Sequence, residues 1–110
     1  MKFHDVDVSR QFKRMREFAP EPYRAWLDFD RKAFEAGAID VKTKELIALG
    51  ITLITQCPWC IDAHAKRARK AGATDAEVAE VIFVSMVMAA GAAWSHGALT
   101  LQCLDEHPAP

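Results

Sequence analysis

The hydrophobic and polar positions of this 110-residue chain recur at helical spacing, and the alternation typical of strands is nearly absent. The pattern predicts an all-α fold of about five to six helices. Capping and breaking residues divide the chain into five segments. They are about Ser9–Phe18, Pro22–Ala36, Asp40–Thr55, Cys57–Ala71, and a last segment that opens at Thr74.

The last segment contains the longest nearly unbroken apolar run of the chain. This run, Val81–Trp94, has 14 residues, fewer than the roughly 18 that indicate a membrane span. Gly91 and Gly97 interrupt the pattern near its end. A separate final helix over about Ala92–Leu104 is therefore an alternative to one long helix.

Two segments are apolar on nearly all sides: the last segment, over Val81–Trp94, and the third segment, over Leu46–Ile54. A small domain can bury only a limited share of its surface. We therefore expect a homo-oligomer in which copies cover each other's third and fifth segments. A well-wrapped monomer is the alternative.

Composition narrows the classes of partner. Hydrophobic residues make up 51% of the chain and charged residues 26%, with a net charge of −1, so neither nucleic acid nor an anionic membrane surface is indicated. The start of the chain is densely charged and lacks the apolar core of a secretory signal. We therefore expect a cytoplasmic protein, in which a cysteine pair is more often catalytic or metal-binding than a structural disulfide.

The stretch CPWCIDAH, residues 57–64, carries the candidate chemistry. At the start of a helix, the Cα atoms of Cys57 and Cys60 lie roughly 5 Å apart, within the range of a disulfide. The positive end of the helix dipole favours a thiolate there. His64 follows one turn after Cys60 on the same face, where it can take the proton of that thiol.

Glu45 is the last ionisable residue before the apolar part of the third segment, and it shares a helical stripe with Thr52 and Gln56. In an antiparallel hairpin that turns at the cysteines, Glu45 lies roughly 15 Å up one arm and His64 roughly 10 Å up the other. A glutamate side chain spans most of that offset. The geometry predicts that Glu45 supports His64, which serves Cys60.

The cysteines have two other interpretations. One is a pair of inert buried thiols, the role that also suits Cys103. The other is a zinc site, but structural zinc usually has a second CxxC or HxxxH pair, which this sequence lacks. Its ligands would be Cys57, Cys60 and His64, with His96, His107 or Cys103 as the fourth.

The pattern Glu45–x11–Cys57–x2–Cys60–x3–His64 resembles the alkylhydroperoxidase D (AhpD) core of the wider carboxymuconolactone decarboxylase family. The resemblance covers about residues 40–104 of what we interpret as a single domain, residues 1–110. It implies an AhpD-like all-α fold with an antiparallel helical hairpin that bears the CxxC motif. It also implies assembly into trimers or hexamers.

The resemblance further implies reduction of hydroperoxides through a dithiol/disulfide cycle. Cys60 would be the peroxidatic thiol, Cys57 the resolving thiol, and His64 with Glu45 the proton relay. A lipoyl-type or thioredoxin-like dithiol protein would restore the reduced pair, and no metal, haem or flavin would be required. A thioredoxin-style analogy would instead make Cys57 the nucleophile.

The sequence also departs from the two-repeat alkylhydroperoxidase. It holds one core, and Trp59 stands where that enzyme has a histidine, so one relay member is missing. Three alternatives therefore stay open: a dithiol–disulfide oxidoreductase or redox sensor, an oligomeric scaffold with inert cysteines, and a decarboxylase-like enzyme. The decarboxylase branch lacks a redox cysteine pair, so the CPWC sequence argues against it.

Overall fold

The computed structural model describes residues 8–110, and this part of the chain is all-α, as predicted. The first seven residues, which belong to the segment used to judge a secretory signal, lie outside the described part. Five helices follow one another along the chain. They are α1 (Ser9–Phe18), α2 (Pro20–Phe34), α3 (Val41–Thr55), α4 (Pro58–Lys70) and α5 (Asp75–Glu106).

Local sequence signals set most of the helix ends. The Asp40 carboxylate accepts a hydrogen bond of 2.7 Å from the Thr43 backbone N–H and caps α3. Thr74 and Glu77 form a reciprocal capping box at the start of α5. Helix α2 begins and ends two residues earlier than predicted, because Pro20 takes the first-turn position that suits proline.

Helix α3 lies at the centre and packs against α2, α4 and α5. The Lys42 ammonium lies 2.9 Å from the Glu77 carboxylate, and the Ser85 hydroxyl lies 3.4 Å from the Gly50 carbonyl oxygen. Both pairs are 35 residues apart in sequence, so α3 and α5 run in the same direction. A Cβ atom on Gly50 would lie 3.2 Å from Ser85 Oγ, which shows how closely these two helices approach.

Helix α5 is continuous over 32 residues, so the alternative of a separate final helix over Ala92–Leu104 is wrong. Gly91 and Gly97 keep helical geometry, because an isolated glycine costs only about 1 kcal/mol among good helix formers. With the same offset of 35 residues between α3 and α5, Thr55 at the end of α3 corresponds to Ala90 of α5. The remainder of α5 therefore extends about 24 Å beyond α3.

A single chain leaves much apolar surface uncovered. The buried apolar residues of the described part are Leu49, Ala68 and Ala73, whereas Trp94 on α5 is 85% exposed. The radius of gyration is 19.0 Å, whereas a compact domain of this length has about 13 Å. The large apolar side chains of α3 and α5 therefore lack a core within one chain.

Helix α5 is also long and apolar enough, by length and composition, to cross a bilayer, and it is the one such helix in residues 8–110. An apolar helix in the core of a soluble protein meets the same criterion, so this property alone is weak evidence for a membrane.

Candidate active site at the start of α4

The two cysteines lie at the beginning of α4, where the chain turns from one helix to the next. Gln56 adopts a left-handed conformation, with φ 57°, and ends α3. Cys57 is the N-cap of α4, and Pro58 occupies its first turn, a position that suits proline. The Sγ atoms of Cys57 and Cys60 are 2.7 Å apart. Both thiols are half-buried, so a small reactant and a partner thiol can reach them.

The hydrogen bond between the two thiols shifts their pKa values in opposite directions. The pKa of Cys57 lies below its usual value, because its sulfur accepts hydrogen bonds from the Cys60 thiol and from the Cys60 backbone N–H, 3.4 Å away. The pKa of Cys60 is raised, because its thiol donates to Cys57 and is partly desolvated. The pair titrates as a unit, and its first negative charge resides mainly on Cys57.

Glu45 and His64 meet across the α3–α4 contact, although they are 19 residues apart in sequence. His64 Nδ1 lies 2.8 Å from Glu45 Oε2, and Glu45 is only 4% exposed. Since an ionised carboxylate can only accept, it holds the hydrogen on Nδ1 and leaves Nε2 as the basic nitrogen. His64 follows Cys60 by one turn of the same helix, so the two side chains lie on the same face of α4.

The direction of α4 follows from the same contact. Glu45 belongs to the first half of α3 and His64 to the first half of α4, which begins three residues after α3 ends. The two helices therefore run back along each other on either side of this contact.

Two residues that sequence reasoning did not place in the site lie against the relay. The Phe34 ring stacks on the His64 imidazole, with centroids 5.4 Å apart and planes inclined by 21°. The Lys44 ammonium donates to the carbonyl oxygens of Ala33 and Glu35, which flank Phe34 at the end of α2. Phe34 lies near the end of the second predicted segment, and nothing in its spacing pointed to His64.

The predicted polar stripe on α3 is only partly realised. Thr52 is buried below Glu45, but its hydroxyl donates to the carbonyl of Leu49 in its own helix. Gln56 is exposed, so the expectation that it joins the stripe is wrong. The left-handed turn at Gln56 carries its side chain off the helical face of Glu45.

The residues proposed as further metal ligands do not form a metal site. Cys103 and His96 are both exposed on α5, and the expectation of a buried Cys103 is wrong, because that part of α5 extends beyond the other helices. Within residues 8–110, no cluster of three histidine, cysteine, aspartate or glutamate side chains could hold a metal ion.

Comparisons with known proteins agree with the fold. The chain is 46% identical over 82 residues to uncharacterized protein 4 in the cox locus of Paracoccus denitrificans. The aligned region covers 74% of each of the two chains. It superposes with a TM-score of 0.73 on a carboxymuconolactone decarboxylase family protein from Legionella pneumophila, solved in its apo form. That match has 32% identity and covers 91% of this chain and 89% of the other.

A second solved structure, a protein from Methanobacterium thermoautotrophicum, gives a TM-score of 0.70 with 27% identity, and covers 74% of this chain and 94% of the other. The sequence model of the carboxymuconolactone decarboxylase family matches residues 20–102. This family includes decarboxylases and alkylhydroperoxidases, and its proteins are generally soluble. With its all-α fold and its AhpD-like core, this chain belongs to the carboxymuconolactone decarboxylase family.

Proposed function

We propose that this protein is a thiol-dependent, alkylhydroperoxidase-like oxidoreductase. The observation that supports this function most directly is the adjacency of the two sulfurs, 2.7 Å apart, on the same helix as a histidine bonded to a buried glutamate. A dithiol that can close into a disulfide supplies the two electrons that reduce a hydroperoxide. No metal, haem or flavin takes part in the proposed cycle.

The cycle has three balanced steps. His64 takes the proton of the Cys60 thiol as that sulfur attacks the terminal oxygen of the hydroperoxide. An S–O bond forms, the O–O bond breaks, and the alcohol leaves with the proton from His64. Cys57 then attacks the Cys60 sulfenic acid, which forms the disulfide and releases water. An external dithiol protein, lipoyl-type or thioredoxin-like, restores both thiols by exchange and is itself oxidised to a disulfide.

The test is a thiol map after one oxidation. The reduced protein receives one equivalent of an organic hydroperoxide, is quenched with an alkylating reagent within seconds, and is digested for mass spectrometry. We expect a Cys57–Cys60 disulfide and an alkylated Cys103. If all three cysteines stay alkylatable after minutes, the proposed function is wrong.

Variants of each cysteine test the assignment of roles. We expect Cys60→Ser to abolish peroxide consumption, because the sulfenic acid forms on Cys60. If Cys60→Ser keeps the full rate while Cys57→Ser is inactive, the two roles are reversed.

The lowered pKa of Cys57 favours one second candidate, a dithiol–disulfide oxidoreductase or redox sensor with little peroxidase activity. In that function, the Cys57 thiolate attacks a protein disulfide first and Cys60 closes the intramolecular disulfide. Oxidation rates with a hydroperoxide and with a small disulfide at equal concentration separate the two functions. A decarboxylase-like activity would instead survive the loss of both cysteines.

We also propose that the protein is a cytoplasmic homo-oligomer, a trimer or hexamer. The exposed apolar side chains of α3 and α5 support this, because they line a shared groove of about 600 Å³ that includes Ile51, Ile54, Val84 and Met88. Light scattering coupled to gel filtration gives the oligomer number. We expect Ile51→Glu to dissociate the assembly, and a monomeric wild-type protein would refute the proposal.

A further inference from the structure

The His64 imidazole is held from two directions. Glu45 binds one edge of the ring through Nδ1, at 2.8 Å, and the phenyl ring of Phe34 covers one face at 5.4 Å between centroids. A single hydrogen bond fixes the position of Nδ1 but leaves the tilt of the ring plane open. A nearly parallel aromatic ring removes that freedom, because tilting would break the stacked contact.

Lys44 fixes the end of the helix that carries Phe34. Its ammonium lies 2.8 Å from the Ala33 carbonyl oxygen and 2.5 Å from the Glu35 carbonyl oxygen. These carbonyls lie at the C-terminal end of α2, where backbone acceptors lack partners within the helix and a cation is favourable. Lys44 immediately precedes Glu45 in α3. One turn of α3 therefore binds His64 through Glu45 and the end of α2 through Lys44.

We propose that Phe34 is a positioning residue for His64, and that Lys44 determines the place of Phe34. The proposal rests on the proposed function, in which His64 exchanges a proton with Cys60. Proton transfer requires the basic nitrogen within hydrogen-bonding reach of the thiol, and displacement by about 1 Å can slow a reaction strongly. The stacked ring holds the plane of the imidazole and also covers one face of it.

The first experiment compares oxidation rates of matched variants. Phe34→Leu keeps apolar bulk but loses the flat ring, whereas Phe34→Tyr keeps it. Phe29→Leu is the control, because Phe29 lies on the same helix and is 72% exposed. We expect Phe34→Leu to oxidise about tenfold more slowly with the hydroperoxide, Phe34→Tyr to restore the rate, and Phe29→Leu to match the wild type.

Thermal melting of each variant accompanies the rates, so that a loss of fold is recognised. The proposal is overturned if Phe34→Leu reacts as fast as the wild type, which is the result that a purely space-filling role predicts. It is also overturned if Phe34→Tyr is as slow as Phe34→Leu while both variants are folded.

The second experiment reads the stack itself and needs no activity. In proton NMR, the ring current of Phe34, whose centroid lies 5.4 Å from that of the imidazole, should shift the His64 imidazole protons, and Phe34→Leu should remove this shift. Lys44→Met should lose this shift and Lys44→Arg should keep it, because arginine can still donate to the helix end. Unchanged His64 resonances in Phe34→Leu overturn the proposal, even if the wild type proves inactive toward peroxide and the proposed function fails separately.

Discussion

Replacing Glu45 with glutamine removes the charge of the buried relay while keeping its size. The amide oxygen of the introduced glutamine can still accept the hydrogen from His64 Nδ1, so we expect the fold to persist. A hydrogen bond to a charged group contributes about 1.5–3 kcal/mol, roughly twice a neutral one or more. Because Glu45 is 4% exposed and the Nδ1–Oε2 distance is 2.8 Å, solvent screens this pair little.

Because the glutamine keeps a neutral hydrogen bond, the variant loses only the difference between the two kinds of bond, about 1–1.5 kcal/mol. If that difference acts on the imidazolium that forms when Cys60 loses its proton, oxidation slows by about five- to tenfold, since each 1.4 kcal/mol is a factor of ten. The assay is single-turnover oxidation with excess hydroperoxide, followed by quenching with an alkylating reagent at increasing times. Glu17→Gln is the matched control, because Glu17 is an exposed glutamate on α1 whose side chain is 59% accessible.

A double variant makes the test stricter. If Glu45 acts through His64, then Glu45→Gln combined with His64→Gln should be no slower than His64→Gln alone. An oxidation rate of Glu45→Gln within about twofold of the wild type would refute the relay, because a buried charge that assisted proton transfer could not be removed at so little cost. Fully additive losses in the double variant would show that the two residues act independently.

Three further outcomes follow from the structure. Gly50→Ala should destabilise the protein by about 1 kcal/mol or more in chemical denaturation, because the added Cβ would lie 3.2 Å from Ser85 Oγ. At Gly97 an added Cβ meets nothing within 4 Å, so Gly97→Ala should instead stabilise α5 by up to about 1 kcal/mol. Thr74→Ala should lower the free energy of unfolding by about 1 kcal/mol through loss of the capping box, with the oxidation rate unchanged. The pKa of Cys57 is lowered, so its thiolate persists below the usual thiol range and is lost only as the pH falls through the lowered value. Peptide mapping after alkylation over a pH series should therefore find Cys57 alkylated at lower pH than Cys60. The reverse order would contradict the assigned hydrogen bonds.

Local sequence chemistry determined the secondary structure and half of the site. Asp40 and Thr74 cap α3 and α5 as their side chains predict, and Pro58 places the first turn of α4 directly after Cys57. The spacing of Cys57, Cys60 and His64 lies within one short helix. Such features were predictable because hydrogen bonds within a few residues determine them.

Contacts between helices were decided only in the tertiary structure. The sequence stripe suggested Glu45 as the partner of His64, but the distance of 2.8 Å depends on how α3 packs against α4. Nothing local revealed that the end of α2 brings Phe34 onto His64, or that Lys44 fixes that end.

Two interpretations of α5 were wrong: the alternative of a break at its glycines, and the expected burial of Cys103. The burial of a cysteine depends on what lies beside its helix, which a local pattern does not show. Helix α5 is unbroken because each glycine costs only about 1 kcal/mol. It continues past the end of α3, where no other helix of the described chain covers it, so Cys103 is exposed. The sequence by itself determined which residues form helices and which thiols share one turn, because those interactions are local; the tertiary structure decided which side chains meet and which apolar faces stay uncovered, because those depend on the packing of distant segments.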